Sequence, residues 1–338
     1  MRVLMVTCAY GLTNHPNCPP YVAQQVNFLR RAGVEVDVFC FRGQKRFVNY
    51  LRAWQELHIN FKFDEYDLVH IQHGQSGLLN LPKKCPTVVT FHGSDLLGLG
   101  ALSVRSKFGG MILRNISRWV AHFADEVIVV AEHLAQHLPR GIEYHVIPTG
   151  VDLELFTPFD KKKARRILGL PPEKTLVLFS GDTNRPVKRF HLAEAVLKSI
   201  NREINAELVV AQRVAHRDMP YYLNAADLLL LTSIHEGSPT VVKEALACNL
   251  PVVSVDVGDI RRLTRIVPGC FLCPDDSVET VAATVLSVIN TREDFVSRDS
   301  MALLDEKLLT ERILGVYRSA VRRRRTMHAG KYWESQQS

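Results

Sequence analysis

The chain has 338 residues, 46% of them hydrophobic, which is enough for two domains of ordinary size with complete cores. Its net charge of +7 is a modest excess, compatible with anionic substrates or an anionic membrane surface, and we expect no nucleic-acid partner. No apolar run reaches the roughly 18 residues of a membrane span, so we expect no transmembrane helix.

The N-terminus and the cysteines indicate the compartment. The first eight residues run directly into strand-like sequence and lack the long apolar core of a signal peptide. The seven cysteines are odd in number and show no framework spacing, as is usual in a reduced cytoplasm. We therefore expect a cytoplasmic protein.

Short apolar strands alternate with helices in the first half of the chain. We predict helices over residues 21–31 and roughly 102–123. The predicted strands cover residues 2–6, 34–41, 67–72, 87–91, 126–130 and 144–147. Residues 148–152, which contain a proline and a glycine, are interpreted as a hinge.

The second half repeats this alternation. The predicted helices cover residues 165–168, 190–201, 278–290 and 308–325, and the predicted strands cover residues 176–180, 207–211, 228–232 and 252–257. The pattern predicts an α/β protein with two Rossmann-like, doubly wound domains facing across a cleft that would hold the ligand. We place the first domain at residues 1–150 and the second at 151–310. Residues 311–338 would form a helix that returns to the first domain and ends in a basic tail.

The most informative stretch is residues 235–258, where two glutamates flank a predicted helix start. Ser238 is a preferred N-cap and Pro239 a preferred first helical residue, so we expect a helix that continues over residues 240–247. Free N–H groups at such a start favour a phosphate. Glu236 precedes the helix and Glu244 lies inside it, so the two carboxylates would reach different parts of one ligand. Taken alone, they also fit a solvated loop and a solvated helix face.

Two further segments contain candidate functional groups. Arg185 and Lys188 follow the first strand of the second domain, where two cations could clamp a diphosphate or simply form a solvated basic loop. His92 follows a first-domain strand at its carboxyl end, where ligand sites collect. A lone histidine is more often a structural hydrogen-bonding group.

The segment from Glu236 to Val253 resembles the donor-site signature of family 4 retaining glycosyltransferases, which have the GT-B fold. In that family, two glutamates are separated by seven residues. The resemblance implies that Glu236 contacts hydroxyls of the transferred sugar and that Glu244 holds the ribose hydroxyls. The backbone of Gly237, Ser238, Pro239 and Thr240 would face the diphosphate and sugar.

The resemblance extends to the other candidates. Arg185 and Lys188 match an Arg-x-x-Lys pair that binds the donor diphosphate, and Gly181 lies in the same loop. His92-Gly93-Ser94-Asp95 is similar to the family's acceptor-side loop, with His92 at the reacting centre and Asp95 orienting it or only capping a helix. The implied catalytic set is therefore His92, Arg185, Lys188 and Glu236.

Three segments depart from the family pattern or admit another interpretation. The first loop has Gly11 alone where many members have two glycines near the donor phosphates. Gly11 is therefore a weaker candidate than the other residues for contact with the nucleotide-sugar donor. We expect residues 206–218 to form a shortened connection without its usual helix, in the region that in this family often contacts the nucleobase. Cys270 and Cys273 have CxxC spacing, but without a second pair we interpret them as part of an ordinary loop, and we predict no metal site.

Basic residues in an apolar helical segment could bind an anionic membrane surface, although a solvated helix face explains them equally well. These residues are Arg105, Lys107, Arg114 and Arg118, with a second cluster at residues 322–325.

The expected function is retaining, hexosyl-type transfer from a nucleoside-diphosphate sugar to a hydroxyl of a carbohydrate or lipid-linked acceptor. We expect a role in polysaccharide or cell-envelope biosynthesis, and no cofactor beyond the co-substrate. The alternatives are a sugar-nucleotide epimerase or phosphorylase of the same fold, and a catalytically silent partner subunit.

Overall fold

The computed structural model describes residues 1–8, 20–41, 43, 47–98, 104–291 and 295–334. These residues form two compact units. The first unit contains Met1–Pro148 and the C-terminal segment from Lys307, and the second contains Thr149–Glu306.

The first unit is built on a parallel sheet of six strands, in the order β2-β1-β3-β4-β5-β6. Strands β3 and β4 are buried at every position, as expected for inner strands of a parallel sheet, and their buried residues include the polar side chains of His70 and Gln72. The strands are β1 (Arg2–Thr7), β2 (Glu35–Cys40), β3 (Leu68–Gln72), β4 (Thr87–Phe91), β5 (Glu126–Val129) and β6 (His145–Val146). The helices are α1 (Pro20–Arg31), α2 (Phe47–Asn60), α3 (Ser94–Leu97), α4 (Val104–Phe123), α5 (Glu132–Ala135) and, at the C-terminus, α12 (Glu306–Glu334).

Helix α12 packs into the core of the first unit. Leu309, Ile313 and Tyr317 are buried in one cluster with residues of the central strands, such as Val3 and Leu68. Farther along the helix, the Arg323 guanidinium lies 3.1 Å from Glu126 and 2.6 Å from Glu143. Part of the basic cluster at residues 322–325 is therefore paired with acidic side chains of the same unit.

The second unit contains a parallel sheet of five strands, in the order β11-β10-β9-β7-β8. The strands are β7 (Thr175–Ser180), β8 (Ala206–Ala211), β9 (Leu228–Leu231), β10 (Val252–Ser254) and β11 (Cys270–Leu272). The helices are α6 (Lys161–Leu168), α7 (Phe190–Ile200), α8 (Met219–Ala225), α9 (Thr240–Ala247), α10 (Ile260–Ile266) and α11 (Val278–Asn290).

Local sequence accounts for several helix ends in the second unit. The Asp160 side chain caps α6 by accepting from the Lys163 N–H at 2.7 Å, and Gly169 ends that helix with a left-handed φ of 66°. Asn249 takes a φ of 59° after α9, as its side chain allows, and its Oδ1 accepts from the Arg298 N–H at 2.9 Å.

Two predicted segments of the second unit can be compared directly with the structure. Cys270 begins strand β11 rather than an ordinary loop, because it pairs in register with Val252 of the neighbouring strand. Residues 206–218 contain strand β8 and a short 3₁₀ turn but no α-helix, and helix α8 begins only at Met219. The expectation of a shortened connection without a helix of its own over residues 206–218 is therefore confirmed.

Candidate functional site

The candidate donor residues lie at the topological switch point of the second sheet. Strand β7 lies between β8 and β9, so the chain leaves β7 in one direction and returns on its other side. Ligands of open parallel sheets bind at such a point, beyond the carboxyl ends of the strands. The loop with Gly181, Arg185 and Lys188 follows β7, and the loop with Glu236 follows β9.

Lys188 and Glu236 form an ion pair between these two loops. Their Nζ and Oε1 atoms lie 2.6 Å apart, and the side chains are only 17% and 19% exposed. A charge-assisted hydrogen bond with little solvent around it is stronger than an exposed surface pair. The fold therefore brings together two predicted site residues that are 48 positions apart.

Gly181 provides space for the Lys188 side chain. Its φ of 147° lies in a region that L side chains rarely adopt. A Cβ at this position would meet three carbons of the Lys188 side chain at 3.4 Å. Gly181 therefore sets the path of Lys188 past the end of β7.

The two neighbouring arginines differ in their partners. Arg189 donates from Nε to the Thr232 carbonyl oxygen at 2.6 Å and pairs through its guanidinium with Asp276. Arg185 is exposed, and its side chain makes no hydrogen bond or ion pair with the residues placed by the structure. Arg189 therefore ties the two loops together, whereas Arg185 is available to a ligand.

The start of helix α9 is one residue later than predicted, and no side chain caps it. Pro239 is the N-cap and Thr240 the first helical residue. The Ser238 hydroxyl, predicted to be the cap, instead donates to Asp259 Oδ2 at 2.7 Å and contacts the Lys243 ammonium. Without a side-chain cap, the first-turn N–H groups are available to an anion.

A buried lysine supports this helix start. Lys243 is fully buried, donates to the Thr149 carbonyl oxygen at 2.7 Å and lies 3.4 Å from Asp259 Oδ2. Burial lowers the pKa of Lys243, and the negative charge of Asp259 opposes that shift. Sequence reasoning missed both residues. Lys243 is part of the signature segment, but no local sequence pattern indicated that its side chain is buried.

Gly258 fixes the loop that carries Glu236. Its φ is 61°, and a Cβ there would lie 3.0 Å from the Gly237 carbonyl oxygen and 3.3 Å from Glu236 Cβ. This close backbone approach requires glycine. The segment after β10 thus supports the loop on which Glu236 is placed.

Glu244 is almost buried and bonds to a residue that the sequence did not single out. Its Oε1 lies 2.9 Å from His216 Nε2, and the glutamate side chain is only 6% exposed. Burial alone would lower the pKa of His216, but the hydrogen bond to Glu244 and the charges of Glu244 and Asp152 raise it overall. His216 lies in the shortened connection before α8, close to the ring of Phe156.

In the first unit, Asp95 organises the loop that contains His92. Its carboxylate accepts from the N–H groups of His92 at 3.1 Å, Gly93 at 2.9 Å and Gly74 at 3.0 Å. Asp95 is fully buried and is the second residue of α3, whose N-cap is Gly93, so it orients the loop and does not cap the helix. Ser94 is exposed at the start of α3.

The His92 ring lies in a polar and aromatic cluster. Its Nε2 is 2.6 Å from Gln72 Oε1, and its ring centroid is 4.7 Å from that of Tyr21 and 4.6 Å from that of His73. Burial, followed by the neighbouring charges of His73 and His70, places the pKa of His92 well below its usual value. His92 therefore acts as a neutral hydrogen-bonding group. Sequence reasoning missed Gln72 and His73, although both lie at the carboxyl end of β3.

Gly11 and the two cysteines with CxxC spacing are the remaining candidates. Gly11 lies outside the described residues. Cys270 and Cys273 are free and buried, and within the ranges given above no cluster of three or more His, Cys, Asp or Glu residues could hold a metal ion. None of the helices described is long and apolar enough to cross a membrane.

Two protein-family models match the chain. The model described as Glycosyltransferase Family 4 matches residues 20–155, and the model described as Glycosyl transferases group 1 matches residues 169–291. A protein of Bacillus subtilis (strain 168), named as the teichuronic acid biosynthesis glycosyltransferase TuaC, is 30% identical over 221 residues. This match covers 58% of the chain and 55% of TuaC, so the chain aligns with just over half of that relative.

Solved structures match over almost the whole chain. Sucrose-phosphate synthase from Thermosynechococcus elongatus has a TM-score of 0.78 at 18% identity and covers 94% of this chain and 98% of its own. Anabaena HepE, in complex with UDP-glucose, has a TM-score of 0.66 at 19% identity. The match covers 94% of this chain and 100% of the HepE chain. At these identities the likeness shows the fold, and it confirms the predicted pair of Rossmann-like domains. The chain belongs to the family 4, group 1 glycosyltransferases and has their GT-B fold.

Proposed function

We propose that the protein is a retaining glycosyltransferase that uses a nucleoside-diphosphate sugar as donor. The acceptor is a hydroxyl of a carbohydrate or of a lipid-linked sugar. The observation that carries this proposal is the Lys188–Glu236 pair, 2.6 Å apart, at the switch point of the second unit. A cation and a carboxylate in contact there match the two chemistries of the donor, a diphosphate and a ring of hydroxyls.

The proposed roles follow from charge and position. Arg185 and Lys188 bind the diphosphate together with the uncapped N–H groups at the start of α9. Glu236 accepts hydrogen bonds from sugar hydroxyls, and Glu244 accepts them from the ribose. A donor that engages both Lys188 and Glu236 replaces their mutual hydrogen bond with one bond to phosphate and one to a hydroxyl.

Front-face attack accounts for retention with these groups. Double displacement would need a carboxylate nucleophile at the anomeric carbon and a second acid/base group, and Glu236 is assigned to hydroxyls instead. In front-face attack the bond from the anomeric carbon to the phosphate oxygen breaks, and the acceptor oxygen bonds to the same face. The acceptor proton passes to the departing phosphate. The protein contributes mainly by positioning the reactants and stabilising the diphosphate charge.

No metal ion takes part in the proposed mechanism, because Arg185, Lys188 and the helix start take the charge of the leaving group. Omitting or adding divalent cations should leave transfer unchanged. Two similar proteins support the choice of donor and pathway. HepE forms a complex with UDP-glucose, and TuaC is named for teichuronic acid biosynthesis. We propose a comparable place for this protein in cell-envelope polysaccharide synthesis.

Helix α4 has a face suited to an anionic bilayer, and we extend the proposal to peripheral binding there. Met111, Ile112 and Trp119 are 45%, 45% and 51% exposed, and Arg118 is exposed beside Trp119. Apolar side chains flanked by arginine suit a surface of acyl chains and anionic headgroups. A lipid-linked acceptor would be found on such a surface.

Product analysis tests the proposed activity. The full-length protein is incubated with a panel of isotope-labelled nucleotide sugars and with carbohydrate and lipid-linked acceptors. NMR of the product then gives the anomeric configuration of the new bond. Retention of the donor configuration supports the proposal, and inversion contradicts the mechanism. Conversion of the nucleotide sugar to its epimer would indicate an epimerase. Phosphate-dependent release of a sugar phosphate would indicate a phosphorylase. No binding of any nucleotide sugar would indicate a catalytically silent subunit.

A further inference from the structure

The side chain of Gln72 links His92 to the interior of the first unit. Gln72 is the last residue of β3 and is fully buried, and its Oε1 lies 2.6 Å from His92 Nε2. A glutamine amide can accept only through its oxygen and donate only through its nitrogen. The orientation of this amide therefore decides which ring nitrogen of His92 carries a proton.

Neighbouring groups favour the orientation in which the Gln72 amide oxygen faces His92. Its Nε2 lies 2.6 Å from Gln25 Oε1 and 3.2 Å from the Met5 sulfur, both of which are acceptors. It is also 3.4 Å from His70 Nε2. With the amide nitrogen facing acceptors, the oxygen faces His92. His92 Nε2 must then be the donor in this pair and carry a hydrogen.

The His70 hydrogen bonds agree with this assignment. His70 Nε2 lies 2.7 Å from the Thr90 hydroxyl, and Nδ1 lies 2.6 Å from the Tyr317 hydroxyl on α12. Burial lowers the pKa of His70 to about 3, so the ring has one proton. With that proton on Nδ1, His70 donates to Tyr317, and the lone pair on Nε2 accepts from Thr90 and faces the Gln72 amide nitrogen.

His92 itself holds a single proton and a fixed ring plane. Burial, with smaller effects from His73 and His70, keeps the pKa of His92 well below its usual value, so the ring is neutral. The contacts with Tyr21 and His73 restrict its rotation. With the proton on Nε2, Nδ1 presents a lone pair. Across the residues whose positions are given, nothing hydrogen-bonds to Nδ1.

We propose that Gln72 is a positioning residue that holds His92 as the Nε2–H tautomer, so that Nδ1 accepts a hydrogen bond from a substrate hydroxyl. This inference rests on the proposed function and names the chemistry of the substrate group that His92 accepts. A phosphate or carboxylate oxygen has no hydrogen to donate, so its lone pairs would repel the lone pair of Nδ1. The position therefore selects a neutral hydroxyl-bearing group and rejects an anion.

Nitrogen NMR tests the tautomer without any need for transfer activity. The full-length protein is labelled with ¹⁵N-histidine, and His92→Asn identifies the His92 signals. At pH 7.5 we expect a protonated-nitrogen shift for Nε2 and an unprotonated shift for Nδ1. Protonation of Nδ1 with Nε2 bare, or of both nitrogens, overturns the proposal. Failure of the proposed activity would leave this result unaffected.

Variants of Gln72 test its part. Gln72→Glu keeps an oxygen that accepts from His92, so Nε2 stays protonated whether or not Nδ1 also gains a proton. Gln72→Leu removes the acceptor and should mix the two tautomers and lower kcat at least tenfold. Gln55→Leu, at an exposed position on α2, is the matched control. A Gln72→Leu protein that folds and keeps the wild-type His92 shifts contradicts the proposal. If it does not fold, loss of the Nε2 proton in Gln72→Glu contradicts it.

Discussion

Nζ of Lys188 lies 2.6 Å from Oε1 of Glu236, although β8 and β9 separate the two residues along the chain. The pair joins the loop after β7 to the loop after β9, the two loops that border the switch point. Each member is four-fifths buried, so each needs a partner of opposite charge or strong polarity. A nucleotide sugar offers both members such a partner.

Removing either diphosphate cation should slow the chemical step. Lys188→Ala and Arg185→Ala each remove a positive charge that, in our proposal, stabilises the leaving diphosphate. By analogy with lost oxyanion-hole donors, each should raise the barrier by about 2–4 kcal/mol, mainly through a lower kcat. Steady-state kinetics with the active donor measure the effect.

Arg202→Ala is the matched control for these variants. Arg202 is an exposed arginine after α7, away from both candidate loops. It should keep wild-type kcat and KM. Near-wild-type turnover by both the Arg185 and the Lys188 variant would contradict the assignment of these cations to the leaving group.

Lys188 and Glu236 should behave as a coupled pair. Glu236→Gln removes the charge but keeps the shape, and it leaves Lys188 partly buried without its counterion. Contacting residues typically show coupling of about 0.5–3 kcal/mol, so the double variant should lose less activity than the two single variants predict together. A double-mutant cycle on kcat/KM measures the coupling, and strictly additive losses would count against it.

The His216–Glu244 pair should stabilise the second unit more in acid than in alkali. The pKa of His216 is raised, so its contribution is fully present below about pH 6.5 and is lost as pH rises through the folded value. Hydrogen exchange of peptides covering α9 measures this locally. At pH 6 the His216→Asn variant should protect α9 less than wild type does. At pH 9 the difference in protection between the two proteins should be smaller. A difference at pH 9 that equals or exceeds the one at pH 6 would contradict the assignment.

The buried His70 should make the first unit sensitive to acid. Its pKa is lowered by burial to about 3, so its neutral form stabilises the fold above the unfolded pKa of about 6.5. As the pH falls from about 6.5 towards about 3, the preference of unfolded His70 for a proton lowers the free energy of unfolding by about 1.4 kcal/mol per pH unit. His70→Gln cannot titrate and should lose stability less steeply between pH 6.5 and pH 5.

Tryptophan fluorescence makes this test specific to the first unit. The three tryptophans, Trp54, Trp119 and Trp333, all belong to that unit. Urea unfolding followed by their emission, at several pH values, gives the free energy of unfolding. His191→Gln, at an exposed histidine of the second unit, is the control and should follow wild type. If the free energy of unfolding of His70→Gln falls as steeply with pH as that of wild type, His70 does not titrate as described.

Membrane binding through α4 should depend on both apolar contact and charge. Wild-type protein should float with anionic phospholipid vesicles at low salt and less at high salt, because salt screens the arginines. Trp119→Ser should reduce flotation severalfold. Ile59→Ser is the control, since Ile59 is 79% exposed on a different helix, α2. No flotation of the wild type at low salt would refute the proposal.

Periodicity and composition predicted most of the framework. Strand β4 has the predicted bounds, and helix α9 ends at the predicted residue although it begins one residue late, because a short apolar run between polar turns and a helix end before Asn249 and Pro251 are decided by local sequence. Helix α2 was not predicted. Its apolar spacing at Tyr50, Trp54 and Leu57 was a usable signal.

The parts that could not be predicted depend on distant partners. Ser238 does not cap α9 because Asp259, 21 residues away, binds its hydroxyl. Glu244 has its carboxylate bonded to His216, 28 residues away, and no sequence pattern links the two. The signature therefore indicated which side chains to assign to the candidate site, whereas the contacts that hold them depend on the tertiary fold.

The most direct test of the donor site is nucleoside-diphosphate release from a panel of nucleotide sugars by wild type and by Lys188→Ala. We predict that wild type releases nucleoside diphosphate from at least one nucleotide sugar. Lys188→Ala should release it about thirtyfold or more slowly, equivalent to at least about 2 kcal/mol. Absence of binding and release with every nucleotide sugar, or equal rates for both proteins, would contradict a donor site built on Lys188 and Glu236.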